Sequence, residues 1–395
     1  MGDQTNAPDA ARLAAIRAEL PAVQRHIYLN AGTNGPLTRR GHAALVQHAE
    51  AELIEGRIGA AGFKALLAAY EEARTAWAGL LGCEAREIAL THNTTEGINI
   101  ALLGIDWQPG DELITAVTEH EGGLNPCGLV AHRYGVRVRY TDIGLRGCDP
   151  LAALEAALTP RTRAVVLSHV SWATGMILPM RAICDLAHRH GALVICDAAQ
   201  AAGMVPSQVY ELGVDAYACS GQKWLLGPDG TGALFIRGDR FDTIRQTYVG
   251  YFASTVRMNH VDAVFTPPDS AVRYEAAAHY PPALLAFAAG VRWIAEEIGW
   301  AWVYRRIAAL GRACHDALAE IEGVQLYLPR DQVAGLVHFA VAGVQPAEVT
   351  ARLAAQGIHI RHTPAPALNR VSTGFYTTED EIARLAAAVR ALCPE

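Results

Sequence analysis

Seven short apolar runs recur along the first two thirds of the chain. They are EIALTH (87–92), DELITAV (111–117), VRVRYTD (136–142), RAVVLSHV (163–170), ALVICDA (192–198), DAYACSG (215–221) and TGALFIRG (231–238). Most are separated by segments whose apolar positions recur at helical spacing, such as MRAICDLAHRHG (180–191), which ends on glycine. Near-continuous apolar strands are what a sheet covered on both faces requires. The alternation predicts an α/β fold with a seven-stranded, mostly parallel sheet between helices.

After about residue 280 the pattern changes. Residues 283–321 read as one or two long helices, followed by short strands at GLVHFAV (335–341) and IHIRH (358–362). A last helix starts at TTEDEIARLAAAVRALC (377–393), whose threonines and acids suit a helix start. This tail predicts a smaller α+β lobe. The expected division is a large domain over 31–282 and a small one built from 1–30 and 283–395. No internal repeat or low-complexity linker separates them, so the lobes are expected to pack closely.

Composition narrows the function classes. The chain has 395 residues, of which 51% are hydrophobic and 18% charged, with a net charge of −7. That balance gives no reason to expect nucleic acid as a partner. No run of 18 uninterrupted apolar residues suggests a membrane span. The N-terminal residues lack a basic region followed by an apolar one, so a cytoplasmic protein is expected. The 8 cysteines are scattered with no C-x-x-C, which fits neither a zinc site nor a disulfide framework. No metal is expected.

The charge inventory carries the first chemical signal. Only two of the 33 Lys and Arg residues are lysines, Lys64 and Lys223. Arginine's guanidinium stays protonated, whereas a lysine amine can become neutral and attack a carbonyl. Lys223 lies in CSGQKWLLGPDG (219–230), just past a predicted strand. In open α/β sheets ligands bind beyond the carboxyl ends of the strands, so the other strand ends matter too. Thr94 and Thr95, in THNTTEGINIAL, open a helix and offer either an anion site or an ordinary cap. His120 follows the next strand, as an ordinary polar residue or a neighbour for a flat ring. Asp197, with Gln200 three residues on, either caps a helix or meets a buried cation.

Together these strand ends supply an anion site, a ring neighbour, a carboxylate and a nucleophilic amine, the set that pyridoxal phosphate (PLP) needs. Their order, through Ser220-Gly221-Gln222-Lys223, resembles the class V aminotransferase group of fold-type-I PLP enzymes. That group includes cysteine desulfurases, cyst(e)ine C–S lyases and isopenicillin N epimerases. The resemblance runs from YLNAGTNGPL (28–37) nearly to the C-terminus. It implies that Thr94, Thr95, Ser220 and Gln222 hold the phosphate and that His120 stacks on the ring. It further implies that Asp197 protonates the ring nitrogen, Gln200 faces the ring oxygen and Lys223 forms the Schiff base. Arg361 and Arg370 are implied as carboxylate-binding residues, with Trp172 and Asn30 beside the substrate, and a homodimer is implied as well.

Departures from the family pattern sharpen the reaction. The desulfurase nucleophile is a cysteine in a small-domain loop, and here that loop reads RHTPAPALNR (361–370). No cysteine lies between residues 315 and 392. Gln222 stands where many relatives have histidine, and Ala278 where a phosphate-binding threonine is common. SHVSWATGMILP (168–179), QTYVGYF (246–252) and RYEAAAHYP (273–281) are closer to the cyst(e)ine C–S lyases. The expectation is therefore a C–S β-lyase acting on cystine, cysteine or a cysteine S-conjugate. An epimerase is the alternative, and a desulfurase ranks lower.

Overall fold

The computed structural model describes residues 7–256 and 264–393. Parts of the two expected domain spans, residues 1–6, 257–263 and 394–395, lie outside the described residues. In chain order the strands are β1 (Ile27–Tyr28), β2 (Ile88–Thr91), β3 (Glu112–Ala116), β4 (Arg137–Thr141), β5 (Thr162–Ser168), β6 (Leu193–Asp197), β7 (Ala216–Ser220) and β8 (Gly232–Ile236). These are followed by β9 (Val324–Leu326), β10 (Leu336–Val341), β11 (Ile358–His359), β12 (Arg361–Pro364) and β13 (Ala367–Ser372).

Strands β2 to β8 form one seven-stranded sheet in the order β2-β8-β7-β6-β5-β3-β4. Only β8 runs against its neighbours β2 and β7; the other pairings are parallel. The carboxyl ends of β2, β3, β5, β6 and β7 thus share one edge. Alternation along each strand feeds two cores. On β5, Val165 and Leu167 face one helical layer while Ala164 and Val166 face the other. The fully buried Val165, Val166 and Leu167 side chains each contribute about 1.5–3 kcal/mol.

The register of this sheet is pinned at its far edge by Asp215, which is fully buried. Its carboxylate accepts from the Val194 N–H at 2.8 Å and Arg240 Nε at 2.7 Å, and lies 2.7 Å from His188 Nε2 and 3.0 Å from Arg237. Burial pushes this carboxyl up, but the bonds from His188, Arg240 and Val194 outweigh it and hold it below its ordinary value.

The segment expected as one or two helices is two, Pro281–Trp293 and Trp300–Ala319, joined by a π-helical turn at Ile294–Ile298. The first packs against the helices Arg39–Glu55 and Gly59–Leu81, beside the large sheet. The second covers the small sheet, where Leu310, Cys314 and Leu318 meet Val337, Phe339 and Val371. That sheet is antiparallel with order β12-β13-β10-β9. Strand β1 pairs in parallel with β11, bringing residues 27–28 of the N-terminal segment to the small sheet's side. The last helix, Glu379–Arg390, starts at Thr378, whose hydroxyl accepts from the Glu381 N–H while the Glu381 side chain accepts from the Thr378 N–H.

Candidate active site

A cavity of about 260 Å³ opens where the large sheet's carboxyl edge faces β12 and β13. Its wall includes Thr94, Thr95, His120, Trp172, Asp197, Gln200, Ser220, Gln222, Lys223, Arg361 and Arg370. Every one of these was expected at the site from sequence. Asn30 differs. It does not line the cavity but sits behind Thr33, whose hydroxyl donates to Asn30 Oδ1 at 2.7 Å and accepts from Arg370 at 2.9 Å. The position expected to touch substrate therefore orients an arginine through another residue.

Lys223 follows β7 in a loop closed on itself, with the Gly221 N–H on the Thr231 carbonyl and the Gly227 N–H on the Gly221 carbonyl. The loop is clamped from the N-terminal segment, where the Gly35 N–H donates to the Gln222 carbonyl at 2.7 Å. A Cβ at position 35 would stand 2.2 Å from the Lys223 carbonyl oxygen, so only glycine fits there. Burial drives the Lys223 amine down to about 8. Asp197 opposes that, and Arg370 and Arg361 push it further down.

Asp197 ends β6 and is buried, with Oδ1 accepting from the Ala199 N–H at 2.8 Å. Burial raises its carboxyl, against the pull of Lys223, that N–H group and His120. Gln200 is locked, donating from Nε2 to the Gly32 carbonyl at 2.8 Å and accepting from Trp224 Nε1 at 3.0 Å.

Another corner of the cavity lies at the start of the helix Thr94–Leu103. The cap there is Asn93, which accepts from the Glu96 N–H at 2.9 Å. Thr94 and Thr95 are therefore released from capping and face the cavity. The Thr94 N–H donates to Ser220 Oγ at 3.0 Å and the two hydroxyls lie 2.7 Å apart. His120 caps the helix Glu121–Tyr134, its Nδ1 accepting from the Gly122 N–H at 3.0 Å, which leaves Nε2 to carry the proton of the neutral ring. Burial lowers its proton affinity and Lys223 lowers it further. The Trp172 ring meets the His120 ring edge-on, with centroids 5.0 Å apart.

Arg361 and Arg370 are direct cross-strand partners on β12 and β13, which sends both side chains to one face. Arg370 is buried and pushed down to about 9, by burial first and Arg361 second. It remains a cation near neutral pH. Arg361 is exposed at the mouth. On the other side of Arg370 in the sheet stands His338, whose Nε2 lies 3.2 Å from the Trp172 carbonyl that Arg370 also approaches, at 3.4 Å.

Sequence reasoning passed over Asn93, Thr33, His338, Ser168 and Glu119. Ser168 was findable, because it ends a strand as Asp197 does. No local signal marks Glu119, whose partner is 49 residues away.

The donor set fits a phosphorylated, flat, cationic ring carrying a carbonyl. Three buried polar atoms on the cavity wall, Gln222 Oε1, Trp172 Nε1 and Arg370 Nε, have no partner among the described residues, and a bound polar molecule satisfies such groups. A helix N-terminus lined by the Thr94, Thr95 and Ser220 hydroxyls suits a phosphate, and a buried carboxylate suits a ring nitrogen cation.

Fold and site thus define a fold-type-I pyridoxal-phosphate enzyme. The class-V aminotransferase model matches residues 58–385, and the chain belongs to that family. PLP is its cofactor, and the family's carbon–sulfur-cleaving branch is where its relatives fall. A probable cysteine desulfurase of Xylella fastidiosa is 29% identical over 97% of this chain and 95% of its own length. A probable cysteine desulfurase of Mycolicibacterium paratuberculosis is 33% identical over 82% of this chain, but the chain spans only 48% of that relative. Among solved structures, the cystine C–S lyase C-DES in complex with its reaction product cysteine persulfide superposes with a TM-score of 0.90. It is 29% identical over 95% of this chain and 100% of its own. A mutant of C-DES with glycine covalently linked to the PLP cofactor also gives 0.90, at 28% identity over 95% of this chain and 98% of its own. No helix among the described residues is long and apolar enough to cross a membrane, and no group of three or more side chains among them could hold a metal ion.

Proposed function

We propose that the protein is a C–S β-lyase that converts cystine, cysteine or a cysteine S-conjugate, with water, to pyruvate, ammonia and a sulfur product. The observation that carries this reading is a cavity lined by a lysine and two arginines but no thiol. Of the eight cysteines, Cys127, Cys184, Cys196, Cys219 and Cys314 are buried, and none of the eight lines the cavity. The turn between the paired Pro364 and Ala367 is two residues long and contains no cysteine. A desulfurase needs a protein thiol to receive sulfur, whereas a lyase lets sulfur leave with the departing group. The likeness to C-DES supports the same reading.

Bound PLP supplies an electron sink that makes a substrate Cα–H acidic. Thr94, Thr95, Ser220 and Gln222 would hold its phosphate, Asp197 its ring nitrogen, Gln200 its ring oxygen edge and His120 its ring face. Arg370 would hold the substrate carboxylate as a bidentate fork, with Arg361 beside it. Lys223 removes the proton from Cα, since its amine is neutral in a large fraction near pH 8. Trp172, through its unpartnered Nε1, faces the substrate.

The large and small lobes, 31–282 and 1–30 with 283–395, are part of the same proposal, with the site between them. So is a homodimer. Support for it comes from an exposed aromatic cluster in which Phe63 contacts Tyr251 and Phe252, with Tyr248 and Val249 also exposed.

The test is product analysis with cystine, cysteine and S-substituted cysteines. Pyruvate at one equivalent per C–S bond broken is expected. Alanine together with protein-bound sulfur would instead make the protein a desulfurase. Exchange of the α-proton without pyruvate from any of these substrates would make it an epimerase.

A further inference from the structure

Behind the cavity wall lies a buried carboxyl that the proposed reaction does not use. Glu119 sits just past β3, beside His120, and is 6% exposed. Its Oε1 accepts from the Ser168 N–H at 2.9 Å and its Oε2 pairs closely with the Ser168 hydroxyl. Ser168 ends β5, is the direct register partner of Asp197 on β6, and lines the cavity. One hydroxyl therefore separates Glu119 from the cofactor site.

The surroundings of Glu119 are unusual for this protein. Of the other buried carboxyl groups, Glu112, Asp215, Glu275 and Glu381 each lie against an arginine, while Glu87 is held by the Tyr210 hydroxyl and the Gly238 N–H. Among the described residues, no cationic side chain forms an ion pair with Glu119. The titratable group whose charge acts on it is Asp197 on β6, and Cys196 on β6 and Cys127 on the helix Glu121–Tyr134 sense it in turn. Two carboxyl groups sharing one low-dielectric site cannot both ionise cheaply. Asp197 has an N–H donor and the Lys223 amine in its favour; Glu119 has only serine.

We infer that Glu119 is a positioning residue of the active site, the proton-bearing partner in a two-carboxyl unit with Asp197, joined to the cavity through Ser168. Burial and the Asp197 charge push its carboxyl up to about 8, in line with that geometry. With the proton on Glu119, its O–H donates to Ser168 Oγ and the serine hydrogen is freed toward the cavity. The unit then presents one negative charge to the cofactor's ring rather than two. A second charge would raise the proton affinity of the Lys223 amine and shrink the neutral fraction it needs. The inference rests on the PLP reading for its purpose, but not for its proton count.

Two measurements on wild type and E119Q test it. Difference infrared spectroscopy at pH 7, on holoenzyme and on apoprotein, should show a buried protonated-carboxyl band in wild type that E119Q lacks. Titration of the visible cofactor band should show a midpoint lower by about half a unit in E119Q. The reason is that wild type gains a second negative charge once Glu119 ionises and E119Q cannot. A wild-type spectrum without an E119Q-sensitive carboxyl band at pH 7 would overturn the inference, as would an unchanged midpoint for a cofactor band that titrates above pH 8. S168A serves if E119Q does not fold: the carboxyl band should persist at a shifted frequency, and its disappearance counts against the proposal. A protein that forms no cofactor band at all would refute the PLP reading, while the apoprotein infrared result would still decide the state of Glu119.

Discussion

The Lys223 amine and the Arg370 guanidinium feel the same burial with different consequences. Each loses proton affinity, Lys223 to about 8 and Arg370 to about 9. Only the lysine reaches a range where its neutral form is abundant near neutral pH. This has a kinetic signature. The rate at which apoprotein takes up pyridoxal phosphate, followed by stopped-flow absorbance, should rise about tenfold per pH unit up to pH 8 and level off above it. An amine at the ordinary lysine value would keep gaining past pH 10. Lys223 was legible in sequence because lysine is so scarce here. Asp197 was legible because it ends an apolar strand. Glu119 and His338 were not, because each owes its meaning to a contact made through the fold. His338 reads as an ordinary strand residue until the Trp172 carbonyl is seen beside it.

At the level of elements, the large sheet was readable and the small one only in part. All seven short runs became strands; burial on both faces demands apolar residues nearly throughout in six of them, while the edge strand β4 is largely exposed or half-buried. Strand β13, ALNRVS, overlaps the stretch expected as a loop carrying an arginine. Its Asn369 and Arg370 are buried polar groups held for local bonding and for the site, and they break the pattern that marks a strand. IHIRH divides into β11 and β12 at Ile360, pairing first with β1 and then with β13. The final helix kept its sequence signature, and its reciprocal Thr378–Glu381 cap allows a clean measurement. T378A removes an acceptor for the Glu381 N–H and should cost about 1 kcal/mol in urea denaturation, with activity retained. A change well under half that size would mean that the cap is replaced by solvent.

Over the whole molecule, the two edges of the large sheet do different work. The carboxyl edge holds the cavity, while at the opposite edge Asp215 ties β6 and β7 to His188, Arg237 and Arg240. Because its folded proton affinity is lowered, the stability it adds is fully present above the ordinary aspartate value, about 3.8. That stability is lost as pH falls through the folded value. D215N should therefore lower unfolding stability by about 2 kcal/mol at pH 7, since it removes the charge of a buried acceptor that the half-buried His188, Arg237 and Arg240 face. The gap from wild type should shrink once pH drops below 3.8. A gap that stays constant with pH would show that charge is not the source. Cofactor uptake by D215N at pH 7 should match wild type, because Asp215 lies away from the cavity.

The two-residue turn joining β12 and β13 bears on where the product goes. A long thiol-bearing loop hands its cargo over by touch, so delivery depends on which carrier docks. Here the strands that hold Arg361 and Arg370 are tied back so tightly that no such arm exists. A sulfur compound formed in this cavity would leave through its mouth into water. Its fate would then be set by its own lifetime and by the concentration of whatever meets it first.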